Sequence, residues 1–163
     1  MYRKRQSIYG MVLYNRIGEM MDQSFHYKMM VTNAVFQKKV LQKFSELSLT
    51  SGQPKILDYL DKHDGCMQKR IAKGCQIDPA TTTGILGRME EKGLIERRML
   101  NGNHRSSYVF LTEKGKELAT RVNSIFKEME EEVLGGITED ERVLFMQTLE
   151  KICGNMTNME DLQ

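Results

Sequence analysis

Pro79, Ala80, Thr81, Thr83, Gly84, Gly87 and Arg88 form a set of small, hydroxyl-bearing and guanidinium side chains within one short stretch, with no acidic residue between Pro79 and Arg88. Such a set does no covalent chemistry. It suits the reading of a nucleic-acid groove, where hydroxyls and a guanidinium address base edges and small residues let the backbone approach closely. Gln68, Lys69, Arg70 and Lys73 precede it. Cations so placed suit phosphate contacts, as they also suit an ordinary solvated face. Downstream lie Asn103, His104 and Arg105, preceded by Arg97 and Arg98. Enzymatic chemistry finds no comparable set. His26, His63 and His104 are isolated from any partner at metal-ligand spacing, and neither a nucleophile elbow nor a phosphate-cradling glycine loop occurs. The chain is expected to be no enzyme, with no metal and no cofactor.

The elements that would position these residues can be read locally. Asp78 before Pro79 is an N-cap followed by a proline at the first helical position, where the missing N–H costs nothing. Thr82, Ile85, Leu86 and Met89 then fall at three- and four-residue spacing, which gives the helix one buried face and leaves Ala80, Thr81, Gly84, Gly87 and Arg88 outward. Inside a helix Gly84 and Gly87 each cost about 0.8 to 1 kcal/mol relative to alanine. Either they pack against a neighbouring helix or the backbone must come close to something else, and the spacing alone leaves both open.

Upstream, Gln68 to Gly74 reads as a short helix with Ile71 and Ala72 inward, preceded by a brief extended piece at Cys66-Met67. Downstream, Gly93 stops the second helix. Leu94 to Leu100 and Ser107 to Leu111 read as strands because Ile95, Met99, Val109 and Leu111 alternate with polar neighbours, and Asn101-Gly102 is a strong hairpin signal. The outline is a winged helix-turn-helix in a mainly α chain with a small β wing. A tip arginine suits a narrow minor groove, which assigns that contact to Arg105, wing bracing to Arg97, and a backbone contact or no role to His104.

Four ordered blocks carry a family resemblance: Leu49-Thr50-x-x-Gln53-x-x-Ile56-Leu57, then Asp78-Pro79-Ala80-Thr81-Thr82-Thr83, then Leu86-x-x-Met89-Glu90-x-Lys92-Gly93-Leu94-Ile95-x-Arg97, and Leu111-Thr112-Glu113-Lys114-Gly115. Together they resemble the MarR family of bacterial transcriptional regulators over roughly residues 20 to 155. The resemblance implies a helical homodimer with two winged lobes, whose DNA affinity is altered by a small molecule or by thiol oxidation. It places DNA contacts at Gln68, Lys69, Pro79, Ala80, Thr81, Thr83, Gly84, Arg88, Asn103, His104 and Arg105. The chain departs from the pattern twice. Asn103 stands where an aspartate usually orients the wing arginine, and Gly84 stands where a basic residue is usual.

At 163 residues, 40% of them hydrophobic and 28% charged, the chain can bury one sizeable core or a smaller core plus a dimer interface. Net charge is only +2, yet residues 66–116 hold 10 Lys/Arg against 5 Asp/Glu and residues 117–163 hold 4 against 11. That separates a basic lobe from an acidic tail region. No apolar run approaches the roughly 20 residues that span a bilayer, and three cysteines without C-x-x-C spacing fit a reducing cytoplasm. Cys66 and Cys75 flank the reading head; a redox sensor is one reading, a buried inert thiol the favoured one.

Residues 7 to 17 are expected to form a short helix, with a flexible basic arm as the alternative. A long helix is expected from about Glu19 to Leu47, with Met30, Ala34, Leu41 and Phe44 on one stripe. Thr50 or Ser51 is expected to cap the next helix, Gln53 to His63. Thr112 opens another helix whose Leu118, Val122, Ile125, Met129 and Val133 form a heptad-like seam. Gly135-Gly136 breaks it, and Thr138 with Glu141 forms a capping box for a last apolar helix toward Asn155. So many apolar helical residues exceed what one lobe can bury, which assigns them to a second subunit. The expected organisation is an arm and scaffold helix at 1–48, a DNA-binding lobe at 49–116 and C-terminal dimerisation helices at 117–163. Met30, Tyr59 and Phe126 are candidates for an effector pocket, with core filling the preferred account of the methionines.

These readings converge on a cytoplasmic, homodimeric, sequence-specific repressor that binds a pseudo-palindromic operator and responds to a ligand or stress. The alternative is a winged-helix protein-interaction module without DNA binding.

Overall fold

The computed structural model describes residues 24–99 and 107–156. The expectations for the N-terminal segment and for the turn at Asn101 to Arg105 lie outside them. The chain divides into two compact units, residues 1–43 and 44–163.

Helix α1 (Phe25–Ser45) supplies the described part of the first unit. It begins at Phe25; the part of the expected helix before Ser24 lies outside the described residues. Ser24 precedes it and accepts the Lys28 amide through its carbonyl, as a residue type favoured at helix entries does. Its expected stripe is open in the single chain: Met30 is 68% exposed and Leu41 47%, Ala34 is exposed too, and only Phe44, already in the second unit, is buried. The helix ends before Leu47 because Ser48 turns left-handed at φ 54° and Leu49 N–H returns to the Phe44 carbonyl.

The second unit runs α2 (Gln53–Lys62), β1 (Cys66–Met67), α3 (Gln68–Gly74), α4 (Pro79–Glu91), β2 (Ile95–Met99), β3 (Ser107–Leu111), α5 (Glu113–Val133) and α6 (Glu139–Met156). The cap expected at Thr50 or Ser51 is absent at α2. Gly52 takes the N-cap position at φ 84° with no side-chain bond. Gln53 instead folds back, its Oε1 accepting the Thr50 amide at 2.9 Å. Helix α2 packs along α5, and Ile56, Leu57, Leu60, Ala119, Val122 and Met129 are all buried. Each large apolar side chain so buried contributes about 1.5 to 3 kcal/mol. The seam on α5 is therefore used in part inside the chain; only its far end, with Val133 49% exposed, is left outside.

The sheet order is β1-β3-β2, antiparallel throughout, with Cys66 opposite Val109 and Ile95 opposite Leu111. Ile95, Val109 and Leu111 point into the core as the alternation requires, but Met99 is 66% exposed. It pairs with Ser107 on the last described rung of the ladder. Thr112 caps α5 by accepting the Gly115 amide and donates to the Gly93 carbonyl at 2.7 Å. A Cβ at Gly115 would strike the Leu94 carbonyl oxygen. That junction joins the end of α4 to the start of α5. The capping box forms as expected, Thr138 N–H donating to Glu141 Oε2 at 2.9 Å. No residue of α6 is buried in the single chain.

Candidate nucleic-acid interface

The local sequence of α4 produces a helix with one committed face and one open face. Asp78 Oδ1 accepts the Thr81 amide at 2.8 Å. Thr81, chiefly through its side chain and then through this amide, holds the carboxylate below its ordinary range. Thr82, Ile85, Leu86 and Met89 are buried. The Thr82 hydroxyl donates to the Asp78 carbonyl at 2.9 Å, so its burial leaves no unpaired proton. Pro79, Ala80, Thr81, Thr83, Gly84 and Arg88 are all exposed, and Gly87 is half-buried.

The glycines can now be judged by what surrounds them. A Cβ at Gly84 would meet only the Arg88 guanidinium, at an ordinary 3.6 Å, and one at Gly87 would meet nothing within 4 Å. Packing inside the chain requires neither glycine. The helical cost of both is therefore unreturned unless something outside the chain approaches that face.

Helix α3 stands beside this face. Gln68 Nε2 donates to Thr83 Oγ1 at 2.6 Å, and Thr83 donates in turn to the Pro79 carbonyl at 2.8 Å. Lys69 and Arg70 are exposed and Lys73 is half-buried. Gln68, Lys69, Lys73, Gln76, Asp78 and Pro79 line an open groove of about 610 Å³ between α3 and the start of α4. On the wing, Arg97 Nε stands 3.5 Å from Glu90 Oε2 on α4. Arg98 pairs with Glu96 and lies 4.7 Å over the Phe110 ring.

Not every cation of the basic lobe faces outward for a partner. Lys92 Nζ donates to the Ser48 carbonyl at 2.9 Å, and Lys114 Nζ to the Lys92 carbonyl at 2.8 Å. Both stitch the back of the lobe together. Sequence reasoning missed this and also the Gln68 to Thr83 bond; neither has a local signal, since each joins residues 15 or more positions apart.

Asn103, His104 and Arg105 fall among the residues not described. The proposed pocket residues are placed as follows. Met30 is exposed on α1. Tyr59 stacks on His63 with ring centroids 4.5 Å apart, over Gly74, where a Cβ would strike its ring. Phe126 packs against Phe44 at 4.9 Å. Cys66 and Cys75 are buried, and burial pushes the Cys75 thiol up to about 11. Among the described residues no cluster of three or more His, Cys, Asp or Glu could hold a metal, and no helix is long and apolar enough to cross a membrane.

Comparison with known proteins agrees with this geometry. The MarR family model matches residues 49–107. The HTH-type transcriptional regulator YdgJ of Bacillus subtilis is 30% identical over 115 residues, covering 69% of this chain and 68% of that one. The HTH-type transcriptional regulator BilQ of Clostridium symbiosum is 24% identical over 132 residues, covering 81% and 92%. Among solved structures, MepR of S. aureus in complex with DNA superposes with a TM-score of 0.73 at 27% identity, covering 82% of this chain and 97% of that one. The four sequence blocks, the three-stranded wing sheet and the relatives lead to one conclusion: the chain belongs to the MarR family of transcriptional regulators.

Proposed function

We propose that this chain binds double-stranded DNA sequence-specifically as a homodimer and acts as a ligand- or stress-responsive repressor in the cytoplasm. The observation that carries the reading is the open face of α4. It is built of small and hydroxyl side chains plus Arg88, it includes two glycines that internal packing does not require, and it adjoins the cations of α3. A major groove admits such a helix, and Lys69 and Arg70 are suited to the flanking phosphates.

Dimerisation is supported by the apolar surface that α1 and α6 each present. Phe25, Met30, Val35 and Leu41 on the first, and Val143, Leu144, Phe145 and Met146 on the second, are each about half exposed or more. Exposed apolar surface of this extent marks an interaction site. A two-fold molecule would present its reading helices about 34 to 36 Å apart, one turn of the duplex. An effector would act by favouring a lobe spacing unsuited to the operator. Footprinting on the DNA flanking the protein's own gene tests this reading: a protected, two-fold symmetric site supports it, and uniform cleavage across that DNA overturns it.

A further inference from the structure

The exposed Thr83 hydroxyl on α4 has already committed its proton. A threonine hydroxyl carries one proton and two lone pairs. That of Thr83 donates its proton to the Pro79 carbonyl at 2.8 Å and spends one lone pair on Gln68 Nε2 at 2.6 Å. Because the single proton is used along the helix, the Gln68 amide must be the donor of the pair. Thr83 can therefore not donate to guanine O6, to thymine O4 or to a purine N7 without breaking its bond to the first turn of the helix. What the exposed Thr83 has left is its methyl group and one lone pair, beside Ala80, whose whole side chain is a methyl. Gly84, one residue on, leaves room for close approach.

We propose that Thr83 is a specificity-determining residue whose methyl group, held in place by Gln68, reads the 5-methyl of thymine in the major groove. This inference rests on the DNA-binding reading above. Thymine is the only base that offers an apolar group in the major groove. Recognition by methyl contact needs no proton from the protein, only a fixed orientation and a surface free of protrusions. Gln68 supplies the orientation.

The test begins by selecting preferred duplexes from a randomised duplex pool with the full-length chain. The best duplex is then remade with deoxyuridine in place of thymidine, one position at a time, which deletes only the 5-methyl. Affinity should fall about fourfold at the contacted position, the equivalent of one buried methyl. Thr83→Ser keeps the hydroxyl and its bonds but lacks the methyl, and should bind the two duplexes equally. Thr83→Val keeps a methyl at the same place, its side-chain rotamer fixed by β-branching in the helix instead of by Gln68, and should still distinguish them. Indifference of the unaltered protein to deoxyuridine at every position would overturn the inference while leaving DNA binding intact, as would discrimination that survives in Thr83→Ser and vanishes in Thr83→Val. Failure to enrich any duplex would instead remove the DNA-binding reading on which it stands.

Discussion

Arg97 on β2 reaches the Glu90 carboxylate on α4, Nε to Oε2 at 3.5 Å, and so ties the first strand of the wing to the last turn of the helix proposed to enter the groove. Both side chains are partly exposed, 32% and 43%, so the pair contributes at most about 1 kcal/mol to folding. Its consequence is geometric. In urea denaturation, Glu90→Gln and Arg97→Ala should each shift the folding free energy by less than about 1 kcal/mol. In duplex binding the two should be non-additive, Arg97→Ala costing less affinity once Glu90 has been replaced. Strict additivity in binding would show that Arg97 acts on the duplex alone.

Gly84 separates stability from function. Replacing it by alanine meets no obstacle beyond the Arg88 guanidinium at 3.6 Å, so Gly84→Ala should gain up to about 1 kcal/mol from helix propensity and raise the melting temperature by about 2 to 4 °C. The same variant should bind its preferred duplex more weakly. A stabilised protein with undiminished affinity would mean that nothing approaches that face.

Burial decides the thiols beside the reading head. Cys75 is 1% exposed, donates weakly to the Lys55 carbonyl at 3.7 Å, and has its pKa pushed from 9.0 to about 11; Cys66 moves in the same direction, again chiefly through burial. Both are neutral thiols at physiological pH and poor nucleophiles. A disulfide reagent at neutral pH should modify neither in the native protein and both in denaturant, and replacing them should leave any peroxide response unaltered. The same raised values stabilise the fold below the ordinary thiol pKa and lose that contribution as pH climbs through about 11. Rapid native modification of Cys66 or Cys75 would reinstate a sensor role.

The caps make an acid-side prediction of opposite sign. Asp78 is held low by the Thr81 hydroxyl and amide, and Glu141 by the Thr138 amide and hydroxyl. A carboxyl lowered on folding stabilises the fold above its ordinary pKa and loses that contribution as pH falls through the folded value. Melting temperature should drop as pH falls below the ordinary values of 3.8 and 4.5, and Asp78→Asn and Glu141→Gln should each flatten that drop. An identical pH profile in both variants would refute the assignment.

The sequence disclosed most where the determining forces are local. Asp78 and Pro79 announce the start of α4 within two residues, Thr138 and Glu141 announce α6 within four, and the buried face of α4 follows from helical spacing alone. Long-range commitments were not legible. That Gln68 would occupy Thr83, or that Lys92 and Lys114 would cap carbonyls rather than serve phosphates, depends on how α3, α4 and α5 meet. Met99 misled because strand alternation says which side a residue takes, not whether anything covers it. The cap of α2 misled because the chain turns left-handed at Gly52, which takes the N-cap position without a side-chain bond, while Gln53 folds back onto the Thr50 amide.

Salt titration of duplex binding, carried out on the unaltered chain and on Arg88→Ala and Lys69→Ala, tests the central claim most directly. The account predicts affinity for a preferred duplex that falls steeply with added salt, a blurred base preference in Arg88→Ala, and a uniform weakening across sequences in Lys69→Ala with a salt slope lower by about 1. Binding that is absent, or present but insensitive to salt, sequence and both substitutions, would contradict it and favour a winged-helix module whose partner is another protein.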